Sequence, residues 1–567
     1  MNLIESAKNQ ISELLNAACE SARVSGKLPT GGELRGSIEV PRDPSNGDYA
    51  ATHAMSMAKE MRLPPRKIAE ILTANIDVNG TYFKSISIAG AGFINFTVSS
   101  NWYSDVMKAV EKMGTSYGSV NIGEGKQVMV EFVSANPTGP MTVGNARGGA
   151  LGDTLAAVFE KAGYSVWREF LINDAGNQVD LFGKSINARY LQLTRGKDSV
   201  EFPEDGYHGD DITELAKIMV HKHGDKLLEL PEEERIKLFI DFGIQNNVAL
   251  MKEHLERYRI HFDEWFSESS IHKSRYVDET VELLDKAGLL FEKDGAIWLR
   301  NTELGGEKDE VICRTNGFYT YYAIDIAYHR NKLDRGFDKV IDIWGADHHG
   351  HAIRLMATMT SEKLCNALKI DGTRLHFLLN QMIRISRGGE TVKVSKRTGK
   401  ALTLNDLLDE ISVDACRFFF NARPDSHIDF DMDLAVRQDS ENPVYYVQYA
   451  HARICSLIET LENEGFKVPS IKEVITDLLV MEPEQELIKQ ISALPEEVIL
   501  AVRDMDPSRI NKYVVELAAR FHKFYSFCRI KGAKRGLLMA RLKLADTTRL
   551  TIKTCLELLG ITAPEKM

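Results

Sequence analysis

The stretch "NPTGPMTVGNARGGALGD", residues 136–153, decides the fold. It follows an apolar run, "QVMVEFV" (127–133), with the length and composition of a buried strand. It then passes from a Pro/Gly-rich turn into small residues that start a helix reaching about Ala162. Strand, loop and helix in that order aim the helix's unpaired N–H groups and positive dipole end beyond the strand, which suits an anion. Gly144, Gly148 and Gly149 carry no side chain to hold a ligand's phosphates or adenine away. Equally, such glycines let a helix lie close on a strand, and both readings stand at this point.

Working outward, "SVWREFLI" (165–172), "KVIDIWG" (339–345) and "RLHFLLNQM" (374–382) read as further strands, each followed by loop or helix. That alternation predicts an α/β protein with a parallel sheet wound on both faces. Residues 178–290 are more helical and charged, and are expected as an insertion between the two halves of the sheet. Upstream, helical periods and the strand-like "SISIAGAGFINFTVS" (85–99) end at a Gly-rich link, "GSVNIGEGK" (118–126), a natural boundary near residue 122. From about residue 440 the periods are helical throughout.

A chain of 567 residues needs several cores. An apolar fraction of 44% and a charged fraction of 27% are those of ordinary globular protein. The seven cysteines lie far apart without a C-x-x-C pair, which argues against a zinc ribbon or a disulfide framework and for buried thiols in a reducing compartment. The start, "MNLIESAKNQISELLNAACESA", reads as an amphipathic helix and not a secretory signal, and no apolar run is long enough to cross a membrane. A cytoplasmic location is expected. The net charge of -11 argues against nucleic acid, yet Lys523, Arg529, Lys531, Lys534, Arg535, Arg541 and Lys543 fall together without an acid, among Phe524, Tyr525 and Phe527. That stretch is either a local RNA-binding face or a solvated helix face.

Two more loops bear on chemistry. "RISRGGETVKVSKRTGKALTLNDLLDEI" (384–411) places Lys393, Lys396 and Arg397 beside Ser395 and Gly399 after a strand, where cations could clamp phosphates. "IDIWGADHHGHAIRLM" (341–356) is again strand, turn and helix: Gly345 leaves room for a ribose, Asp347 could bond its hydroxyls, and Asp347 with His348, His349 and His351 could instead hold a metal.

Together these pieces resemble the class I aminoacyl-tRNA synthetases, with "NPTGPMTVGNARGG" standing where that class carries HIGH and "KVSKR" where it carries KMSKS. "EFVSANPTGP", "YYAIDIAYHRNK", "WGADHHGH", "VKVSKRTGKALTLNDLLDE", "ENPVYYVQYAHARI" and "LLGITAPEKM" narrow the resemblance to the arginyl-tRNA synthetases, and "PSNGDYAATHAMSMAKEM" is similar to their extra amino-terminal domain. The resemblance implies an α/β fold: a Rossmann-like, doubly wound parallel-sheet catalytic domain with an α+β N-terminal domain and an all-α C-terminal bundle. It divides the chain into a tRNA-contacting domain (1–122), the catalytic domain (123–385), the KMSKS-like loop with its connecting region (386–440) and an anticodon-binding domain (441–567).

The implied reaction joins L-arginine and ATP into arginyl-adenylate, then transfers arginine to tRNA(Arg), with Mg2+ accompanying ATP, no metal held by the protein itself, and a monomer expected. By the same resemblance Thr142, Asn145, Lys393, Ser395 and Lys396 are the catalytic candidates. Glu131, Ser134, Asn136, Tyr321 and Asp325 would bind arginine; Gly144, Gly345, Asp347, His348 and Lys396 would bind ATP; Tyr445, Gln448, Tyr449, Lys531 and Arg535 would touch tRNA. Two departures stand out: Thr142 and Asn145 replace both HIGH histidines, and Val394 replaces the KMSKS methionine. Thr and Asn each still offer a neutral donor. The rival reading is a synthetase-derived RNA-binding protein whose adenylation site has decayed.

Overall fold

The computed structural model describes residues 2–41, 43–392, 402–423 and 426–567. The helix Leu3–Val24 repeats Leu3, Ala7, Ile11, Leu15 and Ala22 on its buried face and packs on the helices Pro65–Thr73 and Ser100–Met113. The predicted strand-like end is a hairpin, Phe83–Ala89 with Phe93–Val98, in a four-stranded antiparallel sheet.

The central sheet contains β1 (Gln127–Glu131), β2 (Ser165–Ile172), β3 (Glu264–Ser267), β4 (Lys339–Gly345) and β5 (Leu375–Asn380), in the spatial order β5-β4-β1-β2-β3 and parallel throughout. The chain thus winds outward from β1 on one side, then returns to build the other side. The switch point lies between β1 and β4, and a crevice opens beyond their carboxyl ends, where such sheets bind ligands. One element differs from expectation: the helical region over 178–290 contains β3, the edge strand. "EWFS" is too short to show a period of two, so only pairing with β2 identifies it.

Helix α1 (Val143–Lys161) follows β1 and is buried along most of its length. Its glycines divide by role. A side chain on Gly152 would strike the Phe132 ring and one on Gly149 would meet Ile260, so these two allow close packing; Gly144 and Gly148 instead border the crevice. Helix α2 (Tyr321–Asp334) precedes β4, and α3 (His349–Met359) follows it.

Beyond β5, β6 (Ile383–Arg387) runs parallel to β7 (Ile428–Asp431), with helix α4 (Val413–Asn421) before β7. The carboxy-terminal bundle includes α5 (Pro443–Asn463), α6 (Ser508–Phe527) and α7 (Arg535–Leu558). Buried Arg417 of α4 joins these parts: its guanidinium donates to the Asp153 carboxylate in α1, to the Tyr258 carbonyl and to the Leu559 carbonyl just past α7. Among the described residues no helix is long and apolar enough to cross a membrane.

Candidate active site

At the switch point a cavity of about 400 Å3 is bounded by the loop after β1 (Val133 to Asn136), the start of α1, the end of β4 and the segment Asn380–Ile383. The β1 loop is strained. Val133 (φ 68°) and Ser134 (φ 38°) occupy the left-handed region, and Ser134 N–H closes a tight turn on the Phe132 carbonyl at 3.0 Å. Such conformations cost about 1–3 kcal/mol each and persist only where the surroundings hold them. Here the Ser134 hydroxyl does so, donating to Glu131 Oε1 (2.9 Å) and accepting from Leu171 N–H (3.1 Å).

Thr142 is the N-cap of α1. Its hydroxyl accepts from Asn145 N–H (3.4 Å) and donates to Asn145 Oδ1 (2.9 Å), which also accepts from Thr142 N–H (2.8 Å). The reciprocal cap commits the Thr142 hydroxyl and the Asn145 carbonyl to the helix end. It leaves the Asn145 amide nitrogen, on the cavity wall, as the uncommitted donor of the pair. Gly144, Gly345, Asp347 and His348 also line the cavity. The clustered histidines diverge: His348 lies beside Asp347 and Trp344, whereas His351 turns to Asp325.

Lys393, Ser395 and Lys396 lie outside the described residues. On one side of them Glu390–Thr391 pairs with the end of β6; on the other the chain is anchored at the site, where Thr403 bridges to Thr142 and Leu404 N–H donates to the Met141 carbonyl at 2.9 Å.

Beneath the crevice the pairing register aligns three acids across adjacent strands: Asp342 opposite Glu131, and Glu131 opposite Glu169. All three are buried. Like charges side by side on a sheet repel, and the compensation comes from α2 and the residue just after it. Lys332 Nζ reaches Glu131 (2.5 Å) and Asp342 (2.7 Å), His329 meets Asp342 (2.8 Å), Arg335 meets Glu169 (2.6 Å), and the Tyr328 hydroxyl donates to Glu131 (2.7 Å). Burial pushes the Glu131 carboxyl above its ordinary value although Lys332 pulls the other way. Asp342 is held below its ordinary value: burial opposes this, but Lys332 and His329 outweigh it. Glu131 is therefore tied into a buried network with Lys332, Tyr328 and Ser134, the setting in which its expected role as an arginine ligand would operate. Ser134 is committed likewise, and Asn136 exchanges amide hydrogen bonds with Gln178 (2.8 Å) and Asn173 (2.7 Å).

The two arginine candidates on α2 are differently placed. Tyr321 is 59% exposed. Asp325, one turn on, accepts from His351 Nε2 at 2.6 Å; the His351 ring lies flat on Trp344 (5.5 Å between centroids, 6° between planes) and edge-on to Tyr321 (5.2 Å). A carboxylate so oriented suits a planar guanidinium, which donates paired N–H bonds better than a compact ammonium does.

In the bundle, the rings of Tyr445 and Tyr449 stack 6.0 Å apart, and His522 continues the row at 6.1 Å from Tyr449. Gln448 departs from expectation. It is buried, with its amide donating to Asp414 (2.8 Å) and the Thr562 carbonyl (2.9 Å), so it fastens the carboxy-terminal tail. The basic stretch is also divided: Arg541 and Lys543 are interior partners of Glu484 and Glu111, Lys531 pairs with Glu464, and Arg535 is exposed.

Residues 107–436 match the family described as tRNA synthetases class I (R), catalytic domain; residues 6–98 match the arginyl tRNA synthetase N terminal domain, and residues 447–567 the DALR anticodon binding domain. An arginine–tRNA ligase of Acetivibrio thermocellus is 50% identical over 570 residues, covering 100% of both chains. The chain belongs to the arginyl-tRNA synthetases. Another member, the arginine–tRNA ligase of Ruminiclostridium cellulolyticum, is 50% identical over 562 residues, covering 99% of this chain and 98% of that one. The crystal structure of Thermus thermophilus arginyl-tRNA synthetase shares the fold at a TM-score of 0.72 and 20% identity, covering 99% of this chain and 100% of that one.

For this arginyl-tRNA synthetase, sequence reasoning missed His351 as the partner of Asp325, the cations of α2 beneath the site, and Arg147 in α1. The sequence of Asp347 and the His run marks the place of the first but not its direction. Nothing in the sequence around Lys332 and Arg335 signals the acidic row in the sheet that they neutralise.

Proposed function

We infer that the chain ligates L-arginine to tRNA(Arg) with ATP, through arginyl-adenylate, releasing AMP and pyrophosphate. The observation that carries this reading is the cavity at the β1/β4 switch point with the Asp325–His351 pair beside it, in a chain of this family. ATP enters with its phosphates toward the α1 N-terminus, where N–H groups and the helix dipole favour negative charge. The Asn145 amide supplies a neutral donor, and Lys393 and Lys396, with Ser395 between them, hold the pyrophosphate side. Adenylation is an in-line displacement at the α-phosphate by the arginine carboxylate, which calls for positioning and charge stabilisation and no protein nucleophile. Asp325 receives the guanidinium, with Tyr321 above it and Asn136 toward the amino-acid end. The Asp347 carboxylate, exposed at the cavity rim, bonds the ribose hydroxyls, and Mg2+ accompanies ATP as a hard cation held by phosphate and water oxygens.

Transfer to the terminal ribose follows at the same cleft. The row of Tyr445 and Tyr449, with exposed Arg535 and Lys531, receives tRNA bases and phosphates. In this division of labour residues 1–122 touch tRNA, 123–385 carry the chemistry, 386–440 hold the lysine loop, and 441–567 read the anticodon. We place the protein in the cytoplasm as a monomer. Charging of purified tRNA(Arg) with labelled arginine tests the activity, and sedimentation at micromolar concentration tests the monomer.

A further inference from the structure

We propose that Arg147 is a positioning residue for ATP, pinning the wall of the nucleotide cavity and the root of the lysine-bearing loop to α1. This rests on the reading of the cavity as the ATP site. Arg147 is fully buried, and its guanidinium is used as a clamp on main chain. One terminal nitrogen donates to the carbonyls of Gln381 (2.6 Å) and Met382 (3.0 Å), the other to those of Arg423 (2.6 Å) and Ser426 (2.8 Å).

The two clamped segments are the joints of one small sheet. Residues 381 and 382 are all that separates β5 of the central sheet from β6, and Arg423 and Ser426 lie between α4 and β7. The strands β6 and β7 are parallel neighbours, and the Met382 carbonyl also accepts from Ile428 N–H at 3.3 Å. A rigid planar fork with two donor pairs sets the spacing of both joints at once, which three donors on one ammonium nitrogen cannot. What hangs on these joints is functional. Gln381, Met382 and Ile383 line the cavity. From β6 the chain runs by Glu390–Thr391 into Lys393 and Lys396. Because Arg147 leaves α1 within two turns of Thr142 and Asn145, the clamp ties the phosphate end of the cavity to its opposite wall.

The test is steady-state charging of purified tRNA(Arg) with labelled arginine, varying ATP and arginine separately, for the wild type, Arg147→Lys, Arg147→Ala and Gly148→Leu. Arg147→Lys should raise the ATP KM about tenfold or more, the scale of one lost charged hydrogen bond, with the arginine KM within about twofold. Arg147→Ala should be worse, and millimolar guanidinium, checked against its effect on the wild type, should restore part of the ATP KM. A purely structural arginine would lower the unfolding midpoint and leave both KM values, or shift both alike; either result overturns the proposal. Gly148→Leu fills the cavity directly. If it raises the ATP KM while the Arg147 variants do not, this inference alone falls; if it too leaves the ATP KM unchanged, the cavity is not the ATP site.

Discussion

His351 Nε2 lies 2.6 Å from Asp325 Oδ2, on a ring fixed flat against Trp344. The bond joins α3, which follows the cavity-lining turn after β4, to α2, the helix that carries the arginine candidates.

If Asp325 receives the guanidinium, Asp325→Asn should raise the arginine KM by an order of magnitude or more, since a charged hydrogen bond contributes roughly 1.5–3 kcal/mol. His351→Phe keeps the stacking and removes the donor, so it should raise the arginine KM severalfold and leave the ATP KM alone. Titrating both substrates in the charging reaction separates these effects. An arginine KM unmoved in both variants would remove the pair from recognition.

The capping geometry separates Thr142 from Asn145. Thr142→Val should cost about 1 kcal/mol of stability as a lost N-cap with kcat nearly unchanged, because the hydroxyl is already committed. Asn145→Asp keeps the capping oxygen but replaces the amide donor with a negative charge facing the phosphates. It should retain the unfolding midpoint and lose about tenfold or more in charging rate, the scale of one transition-state donor. The reverse pattern would make Thr142 the catalytic donor.

Much of this was legible in advance. Strands 165–172, 339–345 and 374–382 and the strand–loop–helix at 127–162 could be read because burial on both faces makes parallel strands continuous apolar runs. The edge strand at 264–267 could not, being four residues long. The site was legible in type and only partly in arrangement. A motif places Glu131 at a strand end, but whether its carboxylate faces a ligand or a lysine depends on register with Asp342 and Glu169, which are 211 and 38 residues away in the chain. Gln448 shows the same limit: its neighbours on the helix face do not reveal that Asp414 and Thr562 occupy its amide.

Breaking the buried row should be a stability event. Glu131→Gln leaves Lys332 with Asp342 alone among its close carboxylates, and removing one partner of a buried pair typically costs about 3–5 kcal/mol. Chemical unfolding should register that loss, with the arginine KM changed far less than in Asp325→Asn. A stable Glu131→Gln with a steeply raised arginine KM would show Glu131 to be a direct ligand.

The bundle should be acid-sensitive through His451. Burial holds its imidazole below the ordinary value; the hydrogen bond to the Pro564 carbonyl opposes this, and Arg549 and Lys553 reinforce it. With the folded value depressed, the unfolded chain takes up the proton first. The stability His451 lends is present above the unfolded value of about 6.5 and is lost as pH falls through the folded value. Thermal unfolding followed downward from neutral pH should show a falling midpoint, with a shallower fall in His451→Gln. Identical slopes would show that His451 does not titrate on unfolding.

The most direct test of the whole account is attachment of labelled L-arginine to purified tRNA(Arg) by the full chain with ATP and Mg2+. The account predicts arginyl-tRNA with stoichiometric AMP, no charging by lysine, and sharply reduced charging in Asp325→Asn at low arginine. Tight retention of tRNA(Arg) with no arginine attached would contradict it and leave an RNA-binding protein whose adenylation site has decayed.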